Sequence, residues 1–285
     1  MRPMLKYPGG KSKEIQEFIK YIPYFDGKYI EPFFGGGSLF FYLEPQQSII
    51  NDINTKLIGF YKGVRDDFSQ LKKELTELER TYKSNRDEYD FLKNENPDIK
   101  IEDKNEKLYY ELRDMYNSLI PSKYLDSTLY YFINKTAYSG MIRYNSKGEY
   151  NVPYGRYKNF NTEFITPGHH ELLKNTEIYN GDYSKIFDMS KPDDFIFLDP
   201  PYDCVFSNYG NEEFKDGFGE DNQRKLAEDF KNLGCKSMMV ISETPLIREL
   251  YKDYIFTKYD KSYSVNIKNR FDTDVKHLII TNYKK

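Results

Sequence analysis

"KYIEPFFGGGSLFFYL", Lys28 to Leu43, decides how the rest of the chain is read. Lys28–Phe33 is a short apolar and aromatic run of the kind that forms a buried strand. Three glycines follow, and Leu39–Leu43 then resumes an apolar pattern suited to a helix. Strand, glycine turn and helix in that order open a βαβ unit. Runs of the same character recur at Ser48–Asp52, Glu177–Gly181, Asp194–Asp199, Lys236–Ser242, Tyr254–Tyr259 and Val275–Tyr283. Helical patterns at Leu57–Val64 and Asp221–Leu233 alternate with them, with Gly234 as the expected C-cap of the latter. The alternation predicts an open, seven-stranded α/β sheet. No helix-length pattern separates the last two runs, which predicts an antiparallel hairpin at the sheet edge.

The alternation stops between about Val64 and Ile165. Asp66–Asp114 is mixed in charge and interrupted by a polar segment around Pro97, so helices are expected at both ends with a loop between. The aromatic, basic and glycine-containing stretch that follows completes an expected insertion, residues 64–165. The flanking segments, 1–63 and 166–285, would form the sheet domain.

The 285 residues carry a net charge of −3, which by itself argues against a nucleic-acid partner. The distribution argues otherwise. Arg2, Lys6, Lys11, Lys13, Lys20 and Lys28 outnumber the acids of the first 30 residues, and Lys123, Lys135, Arg143, Lys147, Arg156 and Lys158 outnumber those of 117–165. Screening confines such effects to about 8–10 Å, so local excess counts for more than the total. No apolar run is long enough to span a bilayer and no signal-peptide core is present, so no membrane association and a cytoplasmic location are expected. Cys204 and Cys235 fit a reducing compartment, and three histidines (His169, His170, His277) are too few and too scattered for an ordinary zinc site. Structural roles are expected for all three.

Carboxylates close three of the expected strands: Asp52 in "IINDIN", Asp182 in "NGDY" and Asp199 in "LDPPY". Any one of them alone would read as a cap or turn residue. Three at successive strand ends, with a glycine loop nearby, read as ligand recognition at the carboxyl edge of an α/β sheet, Asp52 being placed for ribose hydroxyls. Their spread disfavours a metal, and none is expected. "GGKS" at Gly9–Ser12 resembles a phosphate loop but lacks the upstream strand and first glycine. In "LDPPY" two prolines stop the chain rigidly after a buried strand.

"KYPGGK", "EPFFGGGS", "NKTAYSGMIRYNSKGEYNVPYG" and "LDPPY" occur in this order, and "NIKNR…HLIITNY" follows. Together they resemble the Dam-type DNA adenine N6-methyltransferases (D12 class, alpha group). The resemblance covers the chain except Asp66–Asp114. It implies a Rossmann-like sheet with an inserted, mainly helical target-recognition domain, S-adenosylmethionine as cofactor and double-stranded DNA as partner. Tyr7 and Lys11 match cofactor-contacting positions, Tyr7 standing where family members usually have Trp. Gly35 and Gly37 match the essential glycines, Asp52 the ribose-binding acid and Asp182 the acid near the cofactor's adenine. Lys6 resembles a base-contacting lysine, and Tyr138 the aromatic inserted beside a flipped base. Met141 matches an apolar thymine contact and Arg143 a guanine reader. Pro153, in "NVPYG", belongs to the loop shared with GATC-recognising members. Ser139 stands where those members commonly have Asn. Read from residue type alone, Tyr138 and Met141 suit a core and Arg143 a surface ion pair.

The chemistry gives these residues a reason. The lone pair of adenine N6 is delocalised into the ring. A carboxylate (Asp199) and a fixed carbonyl (Pro200) accepting its two hydrogens would favour a pyramidal, nucleophilic nitrogen, by preorganisation more than by proton abstraction. Tyr202 would stack on a base that has left the duplex. Cytosine N4, a protein glutamine amide, RNA, or DNA binding without catalysis remain alternatives. Asp199, where amide and cytosine relatives typically carry Ser or Asn, favours adenine. A monomer is expected, and a cognate restriction endonuclease is admitted as a partner.

Overall fold

The structure, a computed structural model, describes residues 1–202, 218–260 and 276–284. Cys204 and the "NIKNR" stretch, 266–270, lie outside the described residues. Two compact units emerge. The first comprises Met1–Gly10 and Asn54–Lys174; the second comprises Lys11–Ile53 and the described residues from 175 onward. The unit containing the expected insertion 64–165 is thus wider than that segment, and the boundary falls inside "KYPGGK".

The second unit is built on one sheet. Its strands are β1 (Tyr29–Glu31), β2 (Ser48–Asp52), β3 (Thr176–Asn180), β4 (Phe195–Leu198), β5 (Lys236–Ser242), β6 (Ile255–Asp260) and β7 (Lys276–Thr281), in the order β3-β2-β1-β4-β5-β7-β6. All seven expected runs are strands. The first five are parallel, and β7 enters antiparallel between β5 and β6. β1, β2 and β4 are buried along their whole length, as strands covered on both faces must be. The short helices α1 (Ile15–Phe18) and α2 (Ser38–Leu43) precede and follow β1. α8 (Ser184–Phe187), α9 (Glu220–Lys231) and α10 (Pro245–Leu250) follow β3, β4 and β5. α9 ends at Asn232, whose N–H bonds back to Glu228 and Asp229. The expected Gly234 cap is therefore corrected: Gly234 is not among the left-handed glycines, because the last turn closes two residues earlier.

Strand order reverses at β1, with β2 on one side and β4 on the other. Loops leaving the carboxyl ends of β1 and β4 diverge there, opening the crevice in which such sheets bind ligands. One expectation needs correcting. Asp52, Asp182 and Asp199 do not close three successive strands, because β1 lies between β2 and β4 and contributes its own carboxylate, Glu31.

The first unit is helical: α3 (Thr55–Asp66), α4 (Phe68–Glu95), α5 (Lys104–Tyr116), α6 (Asp126–Thr136) and α7 (Pro167–Lys174). α3 packs on α6 and α7, and α5 on α4 and α6. The Asn54 side chain caps α3 by accepting the Leu57 N–H at 2.9 Å. The helices expected at both ends of Asp66–Asp114 are α4 and α5. Buried Leu71, Leu75, Leu78 and Tyr82 recur at helical spacing along α4. Glu74 on the same face is buried and accepts Leu125 N–H and Thr128 Oγ1, at 3.0 and 2.6 Å. His169 holds the N-terminal segment, its Nε2 lying 2.8 Å from the Arg2 carbonyl, and His170 stacks on Phe68.

Candidate active site

The chain leaves β4 through Asp199-Pro200-Pro201-Tyr202. Neither proline has an N–H, so this turn must be held from outside its own backbone. Lys11 Nζ donates to Asp199 Oδ1 and to the Tyr202 hydroxyl, both at 2.5 Å. Lys11 is 1% exposed, so its charge is compensated within the protein rather than by water. The ammonium also lies 4.9 Å from the centre of the Tyr202 ring. From the first turn of α9, Gln223 Nε2 donates to the Pro201 carbonyl at 2.8 Å. One buried cation ties both ends of the tetrapeptide, and one buried amide ties its backbone.

Burial pushes the Asp199 carboxyl above the usual carboxylate range, against the pull of Lys11. Glu31 is pushed much further up, first by burial and then by the Asp199 charge, and accepts a hydrogen bond from Tyr29 at 2.7 Å. Of the two carboxyls, Asp199 is the one paired directly with Lys11. A second network lies behind Tyr202. Glu14 accepts the Tyr259 hydroxyl and lies against His277 Nδ1, each at 2.8 Å. Burial would raise the Glu14 carboxyl, but these two contacts and Lys11 outweigh it and hold the group at about 2. The fully buried His277 ring meets Tyr202 edge-on, 5.4 Å between centres. Tyr202 is thus located by Lys11 at its hydroxyl and by His277 at its ring.

The glycine loop is drawn onto β2. Phe34 N–H donates to the Asn51 carbonyl at 2.9 Å, and Gly35 N–H donates to Asp52 Oδ2 at 2.8 Å. Asn51 in turn donates to the carbonyls of Pro32 and Gly181, gathering the loops after β1 and β3. Gly35 and Gly37 are both left-handed, φ 48° and 63°. A Cβ on Gly37 would lie 2.5 Å from the Phe34 ring. Gly37→Ala is accordingly expected to lower stability by about 1–3 kcal/mol and to weaken cofactor binding. Urea unfolding and calorimetric titration check this; an unchanged midpoint with unchanged affinity would show that the ring gives way freely. Asp182 stands apart, exposed and accepting Ser184 N–H at 2.9 Å, with the Ser184 hydroxyl also donating to it. It thus lies one residue before the N-cap of α8, Tyr183.

In the first unit, residues 137–157 form a folded-back ribbon, with bridges Ala137–Tyr154 and Tyr144–Tyr150. Its inner residues are anchored on α4 and α5. Asn117 exchanges two hydrogen bonds with Tyr150, Tyr109 donates to the Val152 carbonyl at 2.7 Å, and Tyr82 meets the Tyr154 hydroxyl at 2.6 Å. The intervening residues face outward. Arg143 Nε donates to Asn151 Oδ1 and Nη2 to the Asn151 carbonyl, while the Pro153 carbonyl accepts Tyr138 N–H. Tyr138 and Met141 are 56% and 42% exposed, which removes the core reading of both. Ser139 is left-handed and exposed. Lys6 joins this unit: its backbone pairs reciprocally with the Asn134 amide, and its ammonium lies over the Tyr157 ring at 3.9 Å. Gly140, also left-handed, leaves room for Lys6, since a Cβ there would lie 3.2 Å from the lysine stem.

A family model of the D12 class N6 adenine-specific DNA methyltransferases matches residues 7–267. The chain belongs to this family. It is 36% identical over 295 residues to the Type II methyltransferase M.CviBI of Paramecium bursaria Chlorella virus NC1A, covering 99% of this chain and 100% of that one. To the Type II methyltransferase M1.LlaDCHI of Lactococcus lactis subsp. cremoris it is 32% identical, covering 99% and 96%. A DNA adenine methylase of Salmonella typhi is 27% identical over 88% of this chain and 84% of its own.

The chain is thus an adenine-specific DNA methyltransferase, of a family that uses S-adenosylmethionine. No helix among the described residues is long and apolar enough to cross a membrane. Within its second unit the fold brings Lys11, Asp199, Pro200 and Tyr202 together, and separately Gly35, Gly37 and Asp52. Within its first unit it brings together Tyr138, Ser139, Met141, Arg143 and Pro153, with Lys6 on the same unit. Tyr7 lies in the first unit, half-buried, its carbonyl accepting Gly10 N–H. Glu31, Gln223 and Glu14 escaped the sequence reading, which gave His277 a structural role only. Glu31 alone left a signal, as the acid closing β1.

Proposed function

We propose that Asp199 and the Pro200 carbonyl accept the two amino hydrogens of a flipped adenine while Tyr202 stacks on its ring. The observation that carries this reading is the buried Lys11 joined to both Asp199 and Tyr202. Lys11 opposes the rise that burial imposes on Asp199 and orients its carboxylate as an acceptor. That suits a reaction needing the nitrogen lone pair aimed rather than a proton removed beforehand. S-adenosylmethionine, when bound, supplies the electrophilic methyl group.

The carboxyl edge of β1 and β2 fits that cofactor: left-handed glycines allow close approach, and Asp52 is buried against the same loop. Gly35, Gly37 and Asp52 would hold it, with Tyr7 and Lys11. Asp182 is proposed at its adenine, a role that would require giving up its present contact with Ser184. Lys6, Tyr138, Ser139, Met141, Arg143 and Pro153 would read double-stranded DNA, with GATC as the proposed target, the residues of 64–165 providing most of this surface. The reading takes the chain as a cytoplasmic monomer. Kinship with proteins named Type II methyltransferases supports a cognate restriction endonuclease as companion.

Exposing unmodified DNA to the protein and mapping modified bases by sequencing tests acceptor and target together. Methylated adenine confined to one short sequence is expected; its absence overturns the assigned chemistry. Arg143→Ala should relax discrimination at one guanine by about 1–3 kcal/mol. Equal losses on cognate and scrambled duplexes would make Arg143 a phosphate contact instead.

A further inference from the structure

We infer that Gln223 is a positioning residue for the Asp199–Tyr202 turn, an inference that rests on the catalytic reading of that turn. The buried face of α9 comprises Gln223, Leu226, Ala227 and Phe230, at the i, i+3, i+4, i+7 spacing of an apolar stripe. Gln223 holds an apolar position in that stripe and is fully buried. Burying an amide there costs stability unless its hydrogen bonds are made. The bond it makes is to the Pro201 carbonyl, 22 residues away, at 2.8 Å.

That carbonyl is a distinctive handle. Pro200 and Pro201 have no N–H, so the middle of the turn cannot be tied down through backbone donors of its own. Lys11 fixes the side chains at its two ends, Asp199 and Tyr202. Gln223 fixes the plane of the peptide between Pro201 and Tyr202. That plane sets the direction in which the Tyr202 ring leaves the backbone, and it adjoins the Pro200 carbonyl proposed as the second acceptor for N6. A misplacement of about 1 Å in such an arrangement can cost about 10²-fold in rate.

The test compares Gln223→Leu, Gln223→Glu and Asp199→Ala with the wild-type enzyme. Leucine suits the apolar stripe, so Gln223→Leu should fold with an unfolding midpoint near the wild type. It is expected to lose about 10–100-fold in single-turnover methyl transfer. S-adenosylmethionine affinity and the KM for DNA should stay within about threefold, since the amide touches neither ligand. Gln223→Glu carries the readout that a merely structural role would not move. Its carboxyl can donate to the Pro201 carbonyl only when protonated, so its activity relative to wild type should rise as pH falls from 8 to 6. Gln223→Leu turnover within threefold of wild type, or a pH-independent ratio for Gln223→Glu, would overturn the inference. Should Gln223→Leu fail to fold, Gln223→Glu decides alone. An inactive Asp199→Ala beside an active Gln223→Leu refutes the positioning role only. An active Asp199→Ala refutes the catalytic reading beneath it.

Discussion

Asp199→Ala is expected to lower methyl transfer by at least 10²–10³-fold, the loss that follows removal of one preorganised group opposite developing charge. The carboxylate sits immediately after β4, partly exposed, and is held there by the buried Lys11. Binding of S-adenosylmethionine should be nearly unaffected, because the hydrogen bonds that hold Asp52 and the glycine loop are made with β2 and do not involve this turn. Single-turnover methylation with calorimetric titration of the cofactor separates the two effects. A variant keeping more than a tenth of wild-type turnover would refute the role given to Asp199. Asp199→Asn is the sharper companion. It keeps the shape and one acceptor, but its amide group would face the Lys11 ammonium donor to donor, or turn its donors on the incoming N6 hydrogens.

Lys11→Ala should have a comparable effect by a different route, and its pH dependence identifies that route. Burial raises the Asp199 carboxyl and Lys11 pulls it back. Without Lys11 the native carboxyl rises further, so the acid limb of the activity profile, which reports ionised Asp199, moves to higher pH. The stability consequence has a definite sign. A carboxyl raised in the native state binds more protons folded than unfolded, so stability falls as pH rises from its unfolded value toward its native one. The variant should therefore lose more stability at pH 7 than at pH 5. Breaking a buried pair by removing one partner typically costs about 3–5 kcal/mol where the remaining charge persists. Urea unfolding at the two pH values measures this; equal losses at both would mean that Asp199 is relieved by another cation.

The contrast between these two residues shows what the sequence could and could not convey. Asp199 was legible because its chemistry is local: a buried apolar run, an acid, and two prolines that stop the strand. The role of Lys11 was not, since its contact with Asp199 closes a loop of 188 residues. Glu14, His277 and Gln223 were hidden for the same reason, each meeting partners far along the chain. The strands were legible as buried runs, but their order was not. β1 could not be seen to part β2 from β4, nor Glu31 to join the site. The charged α4 and α5 looked weakly amphipathic because their buried face is interrupted by polar residues, among them Glu74 and Asn105, that bond to the backbone of distant segments.

Those two helices have a consequence for how such an enzyme changes its target. Along 150–154 the ribbon is anchored through Tyr150, Val152 and Tyr154, while Asn151 and the Arg143 it holds lie on the other side. Foundation and the proposed reading head occupy alternate residues of one extended stretch. Substitutions at the outward positions leave every anchoring hydrogen bond in place, so a lineage can exchange one recognised sequence for another without rebuilding its scaffold. Substitutions at the inward ones shift the whole head at once, whatever sequence it reads.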